Sequence, residues 1–492
     1  MIFLRKTLSK VKNNFNLNKL VLNYNMLDLI IKNAKACTSA DIFDCDIGIK
    51  DEQIVLLEKD IKQSSKKTYD AKGKFVLPGG IDAHCHIDQP MKDGSMCADS
   101  FESGTRSAVF GGTTTIIPFA VQYKGESLRK VINDYHKKAN DNCYIDYAFH
   151  TIIADASKNV LNQELPAVIK DGYSHFKIYM TYDDLKLNDR EILDVLSIAG
   201  KEKAVVMIHA ENHECISWLT EKLEGEGKTH TKYHSHSRPD IVEAEATNRA
   251  ISLARLTDTP ILFVHISSKE AIEAIRNAQN KGFKIYAETC PQYLFLTKDQ
   301  LDQEDFEGAK FVCSPPPRTK EDQNEVWKAI QNGTFDVFSS DHCPFYFKGK
   351  KGKDLKGMNA SFSQIPNGCP GLETRLPLLF SGGVLKDKIS INKFVEITSS
   401  KPAKIYGLYP KKGSILIGAD ADLVIWDTNI KKKIKNEDLN HNVDYTPYEN
   451  IEVNAWPNTV ICRGSIVVED GSLKVKKGYG QFLKSDISDY IY

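Results

Sequence analysis

The sequence predicts an α/β protein: a (β/α)8 TIM-type barrel with a small β-sandwich domain built from both chain ends. Three observations predict it. Short apolar runs alternate with helical stretches through the middle of the chain, and β-rich segments of like texture stand at both ends. The length, 492 residues, exceeds what one small domain needs.

At the N-terminal end, residues 1–25 carry Arg5, Lys6, Lys10, Lys12 and Lys19, with no acid before Asp28, as an organellar presequence would. Little arginine or serine accompanies them, and Met26 stands directly before LDLIIKNA, so the segment reads as an extension, either presequence or disordered. A cytoplasmic location is expected, with a mitochondrial one as the alternative. From Asp28 to Leu77 the runs DLIIKN, CDIGIK, QIVLLEKD and KFVLP are separated by polar turns and read as strands. Next come TTTIIPF, YIDYAFHTII, HFKIYM, AVVMIHA, ILFVHIS, KIYAET and FDVFSS, with helical stretches between them, the rhythm of parallel strands and crossover helices. Eight such units need about 250 residues or more, and residues 79–400 provide the room. GSILIG, ADLVIWD, NTVICRG and SIVVEDG then read as strands again. Residues 26–78 and 401–470 are therefore expected to complete one domain around the barrel. Beyond Lys431 the chain is polar and irregular, and the tail, residues 471–492, is expected to wrap a neighbouring subunit or to lie loose.

Composition excludes several function classes. Lys plus Arg equals Asp plus Glu at 65 each, so no net field would hold a phosphate backbone or an anionic lipid surface. No apolar run approaches the roughly 20 residues needed to span a bilayer. Eleven cysteines, none in a CxxC pair, indicate free thiols in a reducing compartment.

The strongest chemical signal is PGGIDAHCHID. His84 and His86 stand two apart after a β-rich run, so in a strand both imidazoles share one face while Cys85 points away. Imidazole suits zinc and similar ions. His209 closes AVVMIHAEN, His265 closes ILFVHISS and Asp341 closes FDVFSSDH, each at a strand end, where barrels carry their sites. Lys177, inside the apolar run SHFKIYMTY, has two readings: a charge extended to a carboxylate at the barrel mouth, or an amine converted to an anionic carbamate. His230, His234 and His236 in KTHTKYHSHSRPD read as a polar surface loop rather than a metal site.

These residues, with GGTTTIIPFA, FKIYMTY, CSPPPR, IPNGCPGLETR and KGSILIGADADLVIWD, resemble the amidohydrolase superfamily, and within it the dihydropyrimidinase and hydantoinase branch, from about Met26 onward. The resemblance implies two zinc ions per subunit bridged by carboxylated Lys177. His84, His86, Lys177 and Asp341 would hold one ion, and Lys177, His209 and His265 the other. It implies that Tyr182 stabilises the oxyanion, that Asp341 relays a proton from the attacking water to the leaving ring nitrogen, and that backbone groups at Ser314 and Asn367 hold a cyclic imide or ureide. The activity implied is ring opening of 5,6-dihydrouracil or dihydrothymine in pyrimidine degradation, with broader hydantoinase or allantoinase activity as alternatives, by a homotetramer. All six ligand positions are filled, unlike in the collapsin-response-mediator-like scaffolds that keep the fold without catalysis. Dihydroorotase-like members carry an arginine where this chain has Asp88, whose charge is expected to repel an orotate-like ring. Tyr179 and the loop around Met91 are expected to line the pocket. His342 is expected to orient the site, and Asp82 to do the same or to cap its strand.

Overall fold

The computed structural model describes residues 26–492; the extension at residues 1–25 lies outside them. Gly80–Cys85 opens a barrel of parallel strands, followed by Thr113–Val121, the pair Asp146–Tyr147 and His150–Ile152, His175–Tyr179, Val205–His209, Ile261–Phe263, Ile285–Thr289 and Val337–Phe338. YIDYAFHTII contributes one interrupted strand, so eight strand positions ring the axis, and crossover helices such as Asp189–Lys201 and Asp240–Thr257 cover the outside. The last strand meets the first through His86 N–H donating to His342 C=O at 2.6 Å and Ser340 Oγ donating to His84 C=O at 3.2 Å.

Alternation along the strands sorts side chains between two cores. Val205, Met207, Leu262, Val264, Ile117 and Phe119 fill the barrel, while Val206, Ile208, Phe263, Phe176 and Ile178 face the helices. Lys177 has the inward parity of His175 and Tyr179, which is why a lysine lies inside the barrel with no exposed surface. The first strand pairs irregularly between Asp82 and Cys85. Ahead of that shift Ile81 and Ala83 join the inner core; beyond it Cys85 joins the outer one, leaving His84 and His86 inside. Pairing irregularities beside a site commonly re-aim side chains in this way.

Both chain ends contribute to a nine-stranded, mostly antiparallel sheet in which Phe75–Pro78 pairs with Leu423–Asp427, and Met26–Cys37 continues it toward Ile42–Lys50 and Gln53–Glu58. Leu29, Ile31, Ile47, Val76, Leu423, Ile425 and Ile461 share its core. GSILIG departs from expectation and forms no strand. Of its large apolar side chains only Ile415 is buried, while Leu416 and Ile417 are exposed. The tail also departs from a loose segment. Ser472–Leu473 extends the sheet, and Leu483 and Ile491 then pack with Ala403, Ile405, Tyr406 and Leu408 to close the bottom of the barrel.

Candidate active site

The strand ends deliver the ionisable residues to one place. A cavity of about 680 Å³ opens at the carboxyl ends of the strands, and His86, Lys177, His209, His265, Asp341, Tyr182, Ser314 and Asn367 line it; His84 lies just below, fully buried. Tyr179 and Met91 are also on its wall.

Hydrogen bonds fix which nitrogen of each imidazole is bare. His84 Nδ1 faces Glu288 Oε1 at 2.7 Å and so carries the proton, which leaves Nε2 as a lone pair 3.1 Å from Asp341 Oδ1. His86 Nδ1 likewise faces Gln89 Oε1 at 2.8 Å, and its Nε2 lies 3.7 Å from the same Asp341 oxygen. The ligand-type atoms of His84, His86 and Asp341 all fall within 4.8 Å of one another. His209 Nε2 faces Glu211 Oε2 at 2.7 Å, so its bare Nδ1 meets His265 Nε2 at 2.9 Å. Lys177 Nζ stands between the groups, 3.0 Å from His84 Nε2 and above the Phe119 ring.

Electrostatics follow from burial. Loss of water lowers the Lys177 amine to about 8 against the opposing pull of Asp341 and Glu288. Burial brings His86 down to about 4. It would raise the Glu211 carboxyl, but Arg238, 2.8 Å away, and His209 bring that group down to about 2. Tyr182, Asp341 and His265 hold φ of 71°, 48° and 41°, left-handed conformations that non-glycine residues seldom adopt and that cluster at working sites.

Donor chemistry fits a metal centre. Bare imidazole nitrogens converge with a carboxylate and a buried amine, each ligand-type imidazole except His265 is backed by an oxygen acceptor, and His265 Nδ1 is buried without a hydrogen-bond partner. Glu288, Glu211, Gln89 and Arg238 were not singled out in the sequence. Glu211 offered a signal, standing two residues past His209 in HAEN, as did Glu288 at the end of KIYAET.

Asp88 and His234 differ from expectation. The Asp88 carboxylate accepts the Phe101 N–H at 2.8 Å at the start of helix Phe101–Phe110 and is not part of the cavity lining. His234 is buried, not on a surface loop, and its Nε2 donates to Cys313 C=O at 2.8 Å; His230 and His236 are exposed. His342 pairs with Asp99 at 3.0 Å and accepts the Gly371 N–H at 3.1 Å. Asp82 accepts the N–H groups of His84 and Ser340, each at 3.2 Å, and pairs with Arg375. On the barrel's underside the imidazoles of His150 and His175 meet through Nδ1 atoms at 2.8 Å; His150 Nε2 donates to Ala83 C=O at 2.9 Å, and His175 Nε2 meets Ser485 Oγ in the tail at 2.8 Å.

Residues 75–467 match the amidohydrolase family. The chain is 44% identical over 457 residues to a D-hydantoinase of Geobacillus stearothermophilus, covering 92% of this chain and 96% of that one. It superposes with a TM-score of 0.91 on the crystal structure of a dihydropyrimidinase from Brevibacillus agri, 41% identical over 93% of this chain and 98% of that chain. An L-hydantoinase (dihydropyrimidinase) from Arthrobacter aurescens gives a TM-score of 0.85 at 30% identity, over 93% of this chain and all of the other.

Proposed function

Since this chain belongs to the amidohydrolase family, as a cyclic amidohydrolase of its hydantoinase and dihydropyrimidinase branch, we propose that it is a zinc-dependent dihydropyrimidinase opening 5,6-dihydrouracil and dihydrothymine to N-carbamoyl-β-amino acids. The observation that carries the reading is the convergence of the bare nitrogens of His84, His86 and His209 with Asp341 around the buried Lys177 amine at the base of one cavity. In this reading His84, His86, Lys177 and Asp341 hold one zinc, and Lys177, His209 and His265 the other, with Lys177 carboxylated. A lowered amine pKa favours that modification, because the free amine is the form that adds carbon dioxide and then loses a proton.

When bound, the metal pair supplies Lewis acidity toward the ring carbonyl and makes water acidic enough to act near neutral pH. Asp341 takes the proton of that water and hands it to the leaving ring nitrogen. The Tyr182 hydroxyl, whose pKa burial raises, stays protonated and donates to the oxygen that gains charge. Backbone groups at Ser314 and Asn367 hold the imide edge, which dihydropyrimidines and hydantoins share, and the relatives named D-hydantoinase support hydantoin as a second substrate. The proposed form is a cytoplasmic homotetramer, a state that light scattering reads directly.

The test supplies zinc and bicarbonate to the protein and follows ring opening of dihydrouracil, hydantoin, allantoin and dihydroorotate, beside Lys177→Ala. Dihydrouracil is expected to open fastest, and the variant to lose more than about a thousandfold in kcat/KM together with bound zinc. Preference for allantoin or dihydroorotate overturns the substrate, and full activity in the variant overturns the role of Lys177.

A further inference from the structure

The loop FKGKKGKDLKG, residues 347–357, reads as a solvated lysine tract, and Lys348, Lys350, Lys351 and Lys356 are exposed. Lys353 is not: it has no exposed surface. Gly352 makes this turn inward feasible, since a Cβ there would fall 2.0 Å from Tyr346 C=O, and the Lys353 N–H donates to that same carbonyl at 2.8 Å. The Lys353 ammonium donates to Val312 C=O at 2.7 Å and to Pro366 C=O at 2.6 Å. Among the described residues Lys353 has no carboxylate as ion-pair partner; the two carbonyl dipoles and the Phe345 ring, 5.7 Å away, are what face its buried ammonium. An apolar side chain would fill the same space without that desolvation cost.

Those two carbonyls belong to the two segments that carry Ser314 and Asn367. Val312 C=O also accepts the Gly368 N–H at 2.9 Å, so it joins the segments directly while Lys353 ties both to a third. Asn367 is therefore pinned on each side, through Pro366 C=O before it and Gly368 N–H after it. Both peptide bonds are trans, and in a trans peptide C=O and N–H point in opposite directions. Pinning Pro366 C=O to Lys353 thus turns the Asn367 N–H away from the ammonium, and pinning Gly368 N–H to Val312 turns the Asn367 C=O away from the Val312 segment. Asn367 and Gly368 line the cavity on their free side.

We propose that Lys353 is a positioning residue for substrate, clamping the Val312 and Pro366 carbonyls so that the backbone groups of Ser314 and Asn367 are held in register for the imide edge of the ring. It rests on the reading of Ser314 and Asn367 as substrate-binding positions. Lys353 touches neither substrate nor the ionisable cluster, so its loss acts on substrate binding and leaves the chemical step in place.

The experiment compares wild type with Lys353→Met and Lys353→Gln, measuring kcat, KM for dihydrouracil, zinc content, and amide exchange of segments 312–314 and 366–369. The expected result is KM raised about tenfold or more in Lys353→Met, less in Lys353→Gln, with kcat within about threefold and zinc unchanged. Exchange is expected to quicken in those two segments and not in His175–Tyr179. An unchanged KM, or kcat and zinc falling together, overturns the proposal. Should Lys353→Met fail to fold, Lys353→Gln carries the comparison. Should wild type open none of the four rings, the cyclic-ureide reading falls on its own; exchange then decides the clamp, and unchanged exchange overturns it.

Discussion

Glu373 illustrates how much one buried side chain can govern. It is 2% exposed, and burial raises its carboxyl to about 7 even though Asn440 donates to it from backbone and side chain at 2.7 and 3.1 Å. Its folded pKa lies above the unfolded 4.5. The unfolded chain therefore ionises first, and stability is lost as pH rises from about 4.5 through about 7. Glu373→Gln removes this titration. Urea unfolding at pH 5 and pH 8 is expected to show a pH-dependent loss smaller by about 2.5 kcal/mol in the variant than in wild type. An equal loss in both would assign the titration elsewhere. At this scale much of the candidate site was legible: the spacing of His84 and His86, the ligand-type residues closing three strands, and a lysine in an apolar run. Their partners were not. Glu288 stands 204 residues from His84, and no local pattern couples positions so far apart. Lys353 was hidden by its own neighbourhood, where exposed lysines surround the buried one.

Among the elements, the parallel strands were read from their apolar runs, since a strand buried on both faces leaves an uninterrupted signature. GSILIG carries a similar run and forms a turn, because only Ile415 finds a place in the core. The tail was illegible for the opposite reason. Its apolar residues are scattered among polar ones rather than gathered in a run, and its docking combines Leu483 and Ile491 with polar pairing such as Ser485 with His175. That pairing has one consistent set of proton positions. His150 Nε2 must carry a proton to donate to Ala83 C=O; its Nδ1 then accepts from His175 Nδ1, and His175 Nε2 accepts from the Ser485 hydroxyl. Burial holds both imidazoles neutral by pushing their pKa values down, His175 to about 3. Ser485→Ala leaves His175 Nε2 unpaired in a dry site and is expected to cost about 1–3 kcal/mol in thermal or urea unfolding. Ser485→Thr is expected to retain most of it. Equal stability of the alanine variant and wild type would show that water replaces the hydroxyl.

Across the whole molecule, barrel and sheet are joined by a buried charge network. Lys412 Nζ lies 2.6 Å from Asp146, 2.9 Å from Asp422 and 3.0 Å from Asp420, and Arg463 reaches Asp146 at 3.1 Å and Glu52 at 2.6 Å. Asp146 begins a barrel strand, whereas Asp422 and Arg463 flank strands of the sheet. Burial would neutralise Lys412, but the surrounding carboxylates outweigh it and keep the ammonium charged. Lys412→Met removes the main counter-charge of three buried carboxylates and is expected to cost about 3–5 kcal/mol, read as an early unfolding transition in urea. Retention of wild-type stability would mean that Arg463 alone balances the cluster.

Polypeptide leaves the ribosome N-terminus first, at about 5–20 residues per second. His175 therefore waits while 310 further residues are made before Ser485 arrives, an interval of roughly 15–60 s at that pace. Until then the floor of the barrel lacks Leu483 and Ile491, and His175 Nε2 lacks its hydroxyl partner. A translation product that stops short of Ser485 carries that incomplete floor permanently, a physical mark by which chaperones and proteases can tell an unfinished chain from a finished one.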